Sequence, residues 1–136
     1  MAIDQPLPAL YAGFGCRRGC SADALDALLH EVLQRHGLSA TALRGFASIA
    51  GKADEPGLQQ LAARYALPLE VFTAEQLQPY EPQLSHRSAI AYAHSGCWGV
   101  AESTALALAN LSHAGAALRV ARQVRGPATL ALACAG

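Results

Sequence analysis

Two arginines stand between glycines in Gly13-Phe14-Gly15-Cys16-Arg17-Arg18-Gly19-Cys20-Ser21. An apolar run from Leu7 ends there, and an amphipathic pattern starts just after Ser21. Backbone N–H groups and two guanidinium groups are thus gathered at a helix N-terminus. That combination binds anions, because the free N–H groups point outward and the helix dipole favours negative charge. The planar donor fork of arginine suits carboxylates or phosphates. Glycines at such a junction also serve plain turns, and this loop alone leaves both uses open.

Two further loops carry chemistry-bearing residues ahead of a helix. Ser48 to Gly57 holds Lys52, the only lysine, with Asp54 and Glu55. The carboxylates suit a solvated helix start, while the lysine offers a mobile point charge to a ligand. Ser95-Gly96-Cys97-Trp98-Gly99-Val100-Ala101-Glu102-Ser103 holds the only tryptophan. Trp98 fits a core role, or a flat apolar surface for a ring system.

Other chemistries find little support. The Gly13/Gly15 pair lacks a third glycine at Arg18, where a dinucleotide fingerprint needs it, and there is no Walker A sequence. The Gly-x-Ser-x-Gly elbow of serine hydrolases is absent. Cys16, Cys20, His94 and Cys97 do not have the spacing of a zinc site, so no metal is expected. Cationic neighbours and a helix start favour a thiolate at Cys16, yet no base is assignable, so no catalytic residue is named and no cofactor is expected.

The elements needed to position these loops are legible. Leu7 to Phe14, Leu43 to Ile49 and Leu69 to Phe72 read as strands. Leu25, Leu28, Leu29, Val32 and Leu33 mark a helix capped by Ser21 and ended by Gly37. Pro56 opens a second helix, and Thr73 caps a short one through Leu77. Gln78 to Ser88 reads as a loop, and Ser88 to His94 as a helical turn or two. A long helix through Leu111 is alanine- and leucine-rich on most faces, so it should be largely buried. Ala117 to Ala121 and Thr129 to Ala133 read as a late hairpin around Gly126-Pro127. The alternation predicts an α/β fold, a three-layer α/β/α arrangement with a mixed, mostly parallel sheet of about five strands. Loops after parallel strands then collect at one edge, where ligands bind.

Length and composition bound the rest. The 136 residues predict a single domain, and 52% hydrophobic residues suffice for a core. Net charge is +0, so no global field recruits nucleic acid or a membrane surface. No apolar run is long enough to span a bilayer, and no leader pattern opens the chain. A cytoplasmic protein with four reduced cysteines is expected.

Together the loops resemble the domain shared by the CobE/CbiG C-terminal family of cobalamin biosynthesis. The matching segments are Gly13 to Gly19; Ser48 to Leu58; Gly99, Val100, Glu102, Ala105 and Leu106; and Arg122, Gln123, Gly126, Ala128 and Thr129. They span nearly the whole chain. Arg122 stands where the family usually has lysine, Pro127 where it has asparagine, and Cys20 where it often has a small hydroxyl residue. In CbiG the domain is the C-terminal part of a longer protein that opens a cobalt-precorrin lactone. The present chain looks like the stand-alone form.

The resemblance implies a precorrin or corrin intermediate as ligand, and other cobalamin-pathway enzymes as partners. Such a macrocycle is flat, partly apolar and rimmed by carboxylates. Arg17, Arg18, Lys52 and Arg122 would hold the rim, and Phe14 and Trp98 the ring. The expected ligand-binding set is Gly15, Cys16, Arg17, Arg18 and Ser21; Lys52, Asp54 and Glu55; Ser95, Gly96, Trp98, Gly99 and Glu102; and Arg122. The alternative is a hydrolase of the lactone or acyl group of a ring-contracted precorrin, with Glu102 or Asp54 activating water beside Lys52.

Overall fold

A computed structural model describes residues 9–135. Strand β1 spans Leu10–Cys16, β2 Leu43–Ile49, β3 Leu69–Phe72, β4 Ala117–Arg125 and β5 Ala128–Cys134. Helix α1 spans Ala22–Arg35, α2 Pro56–Tyr65, α3 Ala74–Leu77, α4 Ala89–Ser95 and α5 Val100–Asn110. The five strands form one sheet in the order β3-β2-β1-β5-β4. β1, β2 and β3 pair in parallel, while β5 is antiparallel to both β1 and β4. Strand β5 therefore runs against the other four, which is the mixed, mostly parallel α/β sheet the pattern predicts.

Alternation along β1 builds both faces of the core. Leu10, Ala12 and Phe14 pack with Leu25, Leu28, Leu29 and Val32 of α1 and Leu58 and Leu61 of α2. Tyr11 faces the other way, among Ala101, Ala105 and Leu106 of α5 and Leu77 of α3. Helix α5 is buried from Ala101 to Ala109, as its composition predicts. It lies directly on β1: a Cβ placed on Gly13 would sit 2.1 Å from the Ala101 carbonyl oxygen. Glycine at 13 is therefore a condition of this layer. None of the helices is long and apolar enough to cross a membrane among the described residues.

Local chemistry sets the helix ends. Ser21 accepts a hydrogen bond from the Ala24 N–H and starts α1. Pro56 occupies the first turn of α2. Thr73 and Gln76 form a reciprocal capping box on α3.

Three boundaries differ from the sequence expectation. Gln78–Gln83 is a 3-10 helix with Pro82 inside it, because i to i+3 bonding tolerates a proline that an α-helix would reject. Strand β4 continues past Ala121 to Arg125. It is an edge strand, so pairing with β5 carries it through polar residues that hydrophobic patterning cannot register. The first strand is described from Leu10, and the expected start at Leu7 and Pro8 lies outside the described residues.

Candidate functional site

The C-terminal ends of β1, β2 and β4, the start of β5 and the N-terminus of α5 meet at one edge of the sheet. They enclose a cleft of about 880 Å3. Gly15, Cys16, Arg17, Arg18, Lys52, Ser95, Trp98, Gly99 and Arg122 all line it. Two loops and β4 thus deliver four cationic side chains to one space, and the third loop adds Trp98.

The first loop is a tight turn pinned on two sides. The Cys20 N–H donates to the Arg17 carbonyl at 3.0 Å, with Gly19 at φ 81°. That left-handed position favours glycine. The Arg17 N–H donates to the Pro127 carbonyl at 3.0 Å, joining the loop to the β4–β5 turn. The Gly19 N–H donates to Glu55 Oε1 at 2.9 Å, joining it to the second loop. Both arginine side chains stay exposed, and neither forms an ion pair among the described residues. Ser21 does not line the cleft; its hydroxyl is used as the cap of α1.

In the second loop the carboxylates and the lysine part company. Glu55 is only 8% exposed and serves the first loop, while its Oε2 lies 3.8 Å from Lys52 Nζ. Lys52 reaches the cleft wall. Asp54 is exposed and outside the lining.

The third loop supplies the apolar side. Trp98 lines the cleft and stacks on Tyr92 of α4, with ring centroids 4.4 Å apart and planes 22° apart. The Ser88 N–H donates to the Trp98 carbonyl at 2.8 Å, closing the base of the α4 arm. Gly96 ends α4 at φ 76° and lies outside the lining. Phe14 does not face the cleft; it is fully buried on the α1/α2 side, because successive strand residues point to opposite faces.

Glu102 is 1% exposed and works inward. Its Oε1 accepts from the Ser85 N–H at 2.8 Å and the His86 N–H at 3.4 Å, and its Oε2 accepts from the Arg122 N–H at 2.9 Å and from the Ser85 hydroxyl. Burial opposes its charge, but these hydrogen bonds outweigh it and hold the carboxyl below its ordinary range. Arg122, fixed at its backbone by this carboxylate, has a fully buried Nε with no hydrogen-bond partner.

The thiol reading changes. Burial pushes Cys16 up to about 11, more than the pull of Lys52 can offset. A neutral thiol therefore replaces the thiolate that cationic neighbours suggested. Among the described residues no group of three His, Cys, Asp or Glu side chains could hold a metal. The lining hydroxyls are spent on backbone: Ser95 donates to the Ala91 carbonyl at 2.6 Å, Thr129 donates to the Gly15 carbonyl at 3.3 Å, and Ser88 accepts from the Ala91 N–H at 3.1 Å.

Sequence reasoning missed Ile90 and Val124, and weighed His94 only as a metal ligand; all three also line the cleft. Ile90 and Val124 are 74% and 57% exposed. Val124, an isolated apolar residue between Gln123 and Arg125, was the available signal. A shallower depression of about 450 Å3 beside α1 is lined by charged groups already paired, Glu31 with Arg35 and Arg125.

Comparison with known proteins identifies relatives of this sequence and fold. The family described as "Cobalamin synthesis G C-terminus" matches residues 10–133. The chain is 36% identical over 124 residues to Protein CobE from Sinorhizobium sp, covering 91% of this chain and 79% of that one. It superposes on a crystal structure of CobE, a protein from the cobalamin biosynthetic pathway, with TM-score 0.88 and 47% identity, over 96% of this chain and 95% of that one. It is also 41% identical over 72 residues to cobalt-precorrin-5A hydrolase from Salmonella typhimurium, covering 53% of this chain but 20% of that protein.

Proposed function

Because the chain belongs to the CobE/CbiG C-terminal family of cobalamin biosynthesis proteins, we propose that its cleft binds a polycarboxylate precorrin or corrin intermediate. One observation carries this reading: Arg17, Arg18, Lys52 and Arg122 converge on a cleft that also presents Ile90, Trp98 and Val124. A flat macrocycle would lay its ring on the apolar side and its carboxylates on the basic side. Exposed ion pairs contribute only about 0–1 kcal/mol each, so several must act together. The volume of about 880 Å3 suits a large ligand.

The chain then holds the intermediate and hands it to another pathway enzyme, acting as one domain over residues 1–136 in the cytoplasm. Titration with hydrogenobyrinic acid tests the reading. Saturable binding that weakens with salt and with Arg17→Ala/Lys52→Ala supports it. No binding, or equal binding by that variant, overturns it.

The match to a cobalt-precorrin-5A hydrolase favours a second reading, hydrolysis of a lactone in a ring-contracted intermediate. Glu102 is occupied by its four hydrogen bonds and Asp54 lies outside the cleft lining, so this reading requires the ligand to extend past Lys52 for Asp54 to activate water. Incubation with the lactone intermediate decides this. A product that has gained one water, with or without release of the two-carbon fragment as acetaldehyde, supports hydrolysis, and an unchanged mass removes it.

A further inference from the structure

Helix α5 begins at the cleft without a side-chain cap. Its N-cap is Gly99, and Val100 and Ala101 of its first turn line the cleft. The first amide bonded back to the cap is that of Ser103, which donates to the Gly99 carbonyl at 3.0 Å. Glu102 sits where a capping-box carboxylate would return to the cap N–H. Instead it is turned onto Ser85, His86 and the Arg122 backbone. The Ser103 and Thr104 hydroxyls fold back on the Gly99 and Val100 carbonyls. The first-turn amides are therefore left for something else.

A second, independent feature points to the same place. Arg122 lines this cleft, and its Nε is the buried side-chain nitrogen or oxygen that lacks a partner among the described residues. A buried donor left unmade costs about 1–3 kcal/mol. Nε has no exposed surface as the side chain lies, so an anionic oxygen would meet it once the Arg122 side chain turns toward the cleft, recovering that cost and completing the helix end.

We propose that Arg122 and the α5 N-terminus form a subsite for a single carboxylate, apart from the Arg17, Arg18 and Lys52 wall. Its function is to fix orientation. The exposed cations attract any carboxylate edge, whereas a buried directional donor accepts one group in one pose. The inference rests on the polycarboxylate reading for its ligand, but its test does not.

Propionate, with propionamide as the uncharged control, probes the subsite alone. In amide NMR spectra, propionate should shift Val100, Ala101 and the Arg122 Nε–H, and propionamide should not. Arg122→Gln should abolish those shifts. Arg122→Lys, which keeps the charge but not the Nε donor, should restore them only in part. With hydrogenobyrinic acid, Arg122→Gln should weaken binding about tenfold or more, the scale of a lost charged hydrogen bond. Equal shifts from propionate and propionamide, or hydrogenobyrinic acid binding wild type and Arg122→Gln alike, overturn the subsite and leave the wider reading standing. Propionate shifts with no hydrogenobyrinic acid binding keep the subsite, for a smaller carboxylate, and overturn the wider reading.

Discussion

The backbone N–H of Gly19 donates to Oε1 of Glu55 at 2.9 Å across 36 residues of chain. The other oxygen of that carboxylate lies 3.8 Å from Lys52 Nζ. One buried carboxylate thus sets the spacing between the arginine turn and the lysine. Gly57 brings the parts together, since a Cβ there would lie 2.0 Å from the Cys20 carbonyl oxygen. The backbone of the two loops is locked, and the Arg17 and Arg18 side chains remain available.

Glu55→Ala should therefore lower stability by about 1–3 kcal/mol, the cost of an unmade buried hydrogen bond. Urea unfolding measures it. Glu55→Gln keeps an acceptor for Gly19 and loses only the charge facing Lys52, so it should fall between wild type and alanine. Unchanged stability in Glu55→Ala would show that the tie between the loops carries no energy.

Gly13→Ala should be far worse than its size implies. The added methyl would meet the Ala101 carbonyl oxygen at 2.1 Å and the Ala105 nitrogen at 2.6 Å. Both are backbone atoms, so α5 must lift off β1, at a cost of about 3 kcal/mol or more. Gly51→Ala has nothing within 4 Å and should be near neutral. Thermal melts of the pair test this: similar melting points would mean that α5 does not pack as described.

That pair also shows what was legible in the sequence. The strand and helix types followed from apolar patterning: the apolar residues from Leu25 to Leu33 are buried at helical spacing, and Leu43 to Ile49 is buried as a run broken only at Arg44. The loops at the sheet edge followed from strand order. Which motif neighbour faces the ligand did not follow, because it depends on the pleat: Gly15 faces the cleft while Phe14 faces α1 and α2. Glu55 and Glu102 were legible as motif residues, but their work as internal anchors depends on partners 36 and 17 residues away. The α4 arm was legible as a helical turn or two from Ser88 to His94, but the place of Ile90 and His94 at the cleft was not, since none of its residues is buried and no amphipathic pattern marks it.

Glu102 should make the protein acid-sensitive. Its folded value lies below the ordinary 4.5, so its contribution is fully present above that value and is lost as pH falls through the lower folded one. The stability difference between wild type and Glu102→Gln, about 2–4 kcal/mol at neutral pH, should stay level above roughly pH 5.5 and shrink below 4.5. Denaturant unfolding across pH measures it. A difference that grows on acidification would contradict the assigned hydrogen bonds.

Cys16 should be a slow nucleophile despite its basic neighbours. A shift from 9.0 to about 11 lowers its thiolate fraction near neutral pH, about a hundredfold at two units. Iodoacetamide labelling mapped by peptide mass should find Cys16 slow at pH 8 and faster toward pH 11. Rapid labelling at pH 7 would restore the thiolate that the sequence suggested. Cys16→Ser should leave ligand binding largely intact, because a neutral group replaces a neutral group.

Trp98 makes the cleft observable, because it is the chain's only tryptophan. Its ring lines the cleft and stacks on Tyr92, which is 46% exposed. A conjugated macrocycle seated there would lie within contact of the indole and absorb its emission. Adding hydrogenobyrinic acid should therefore quench Trp98 fluorescence saturably, after correction for absorbance by the ligand. Tyr92→Ala removes the ring that supports the indole, so the affinity should fall by about tenfold or less, the worth of one aromatic pair of 0.5–1.5 kcal/mol. Arg17→Ala/Lys52→Ala should shift the midpoint without changing the final extent of quenching, because the anchor is weakened while the ring still meets the same indole. Binding seen by another method with Trp98 emission untouched would place the macrocycle elsewhere, and would leave the basic wall without an apolar counterpart.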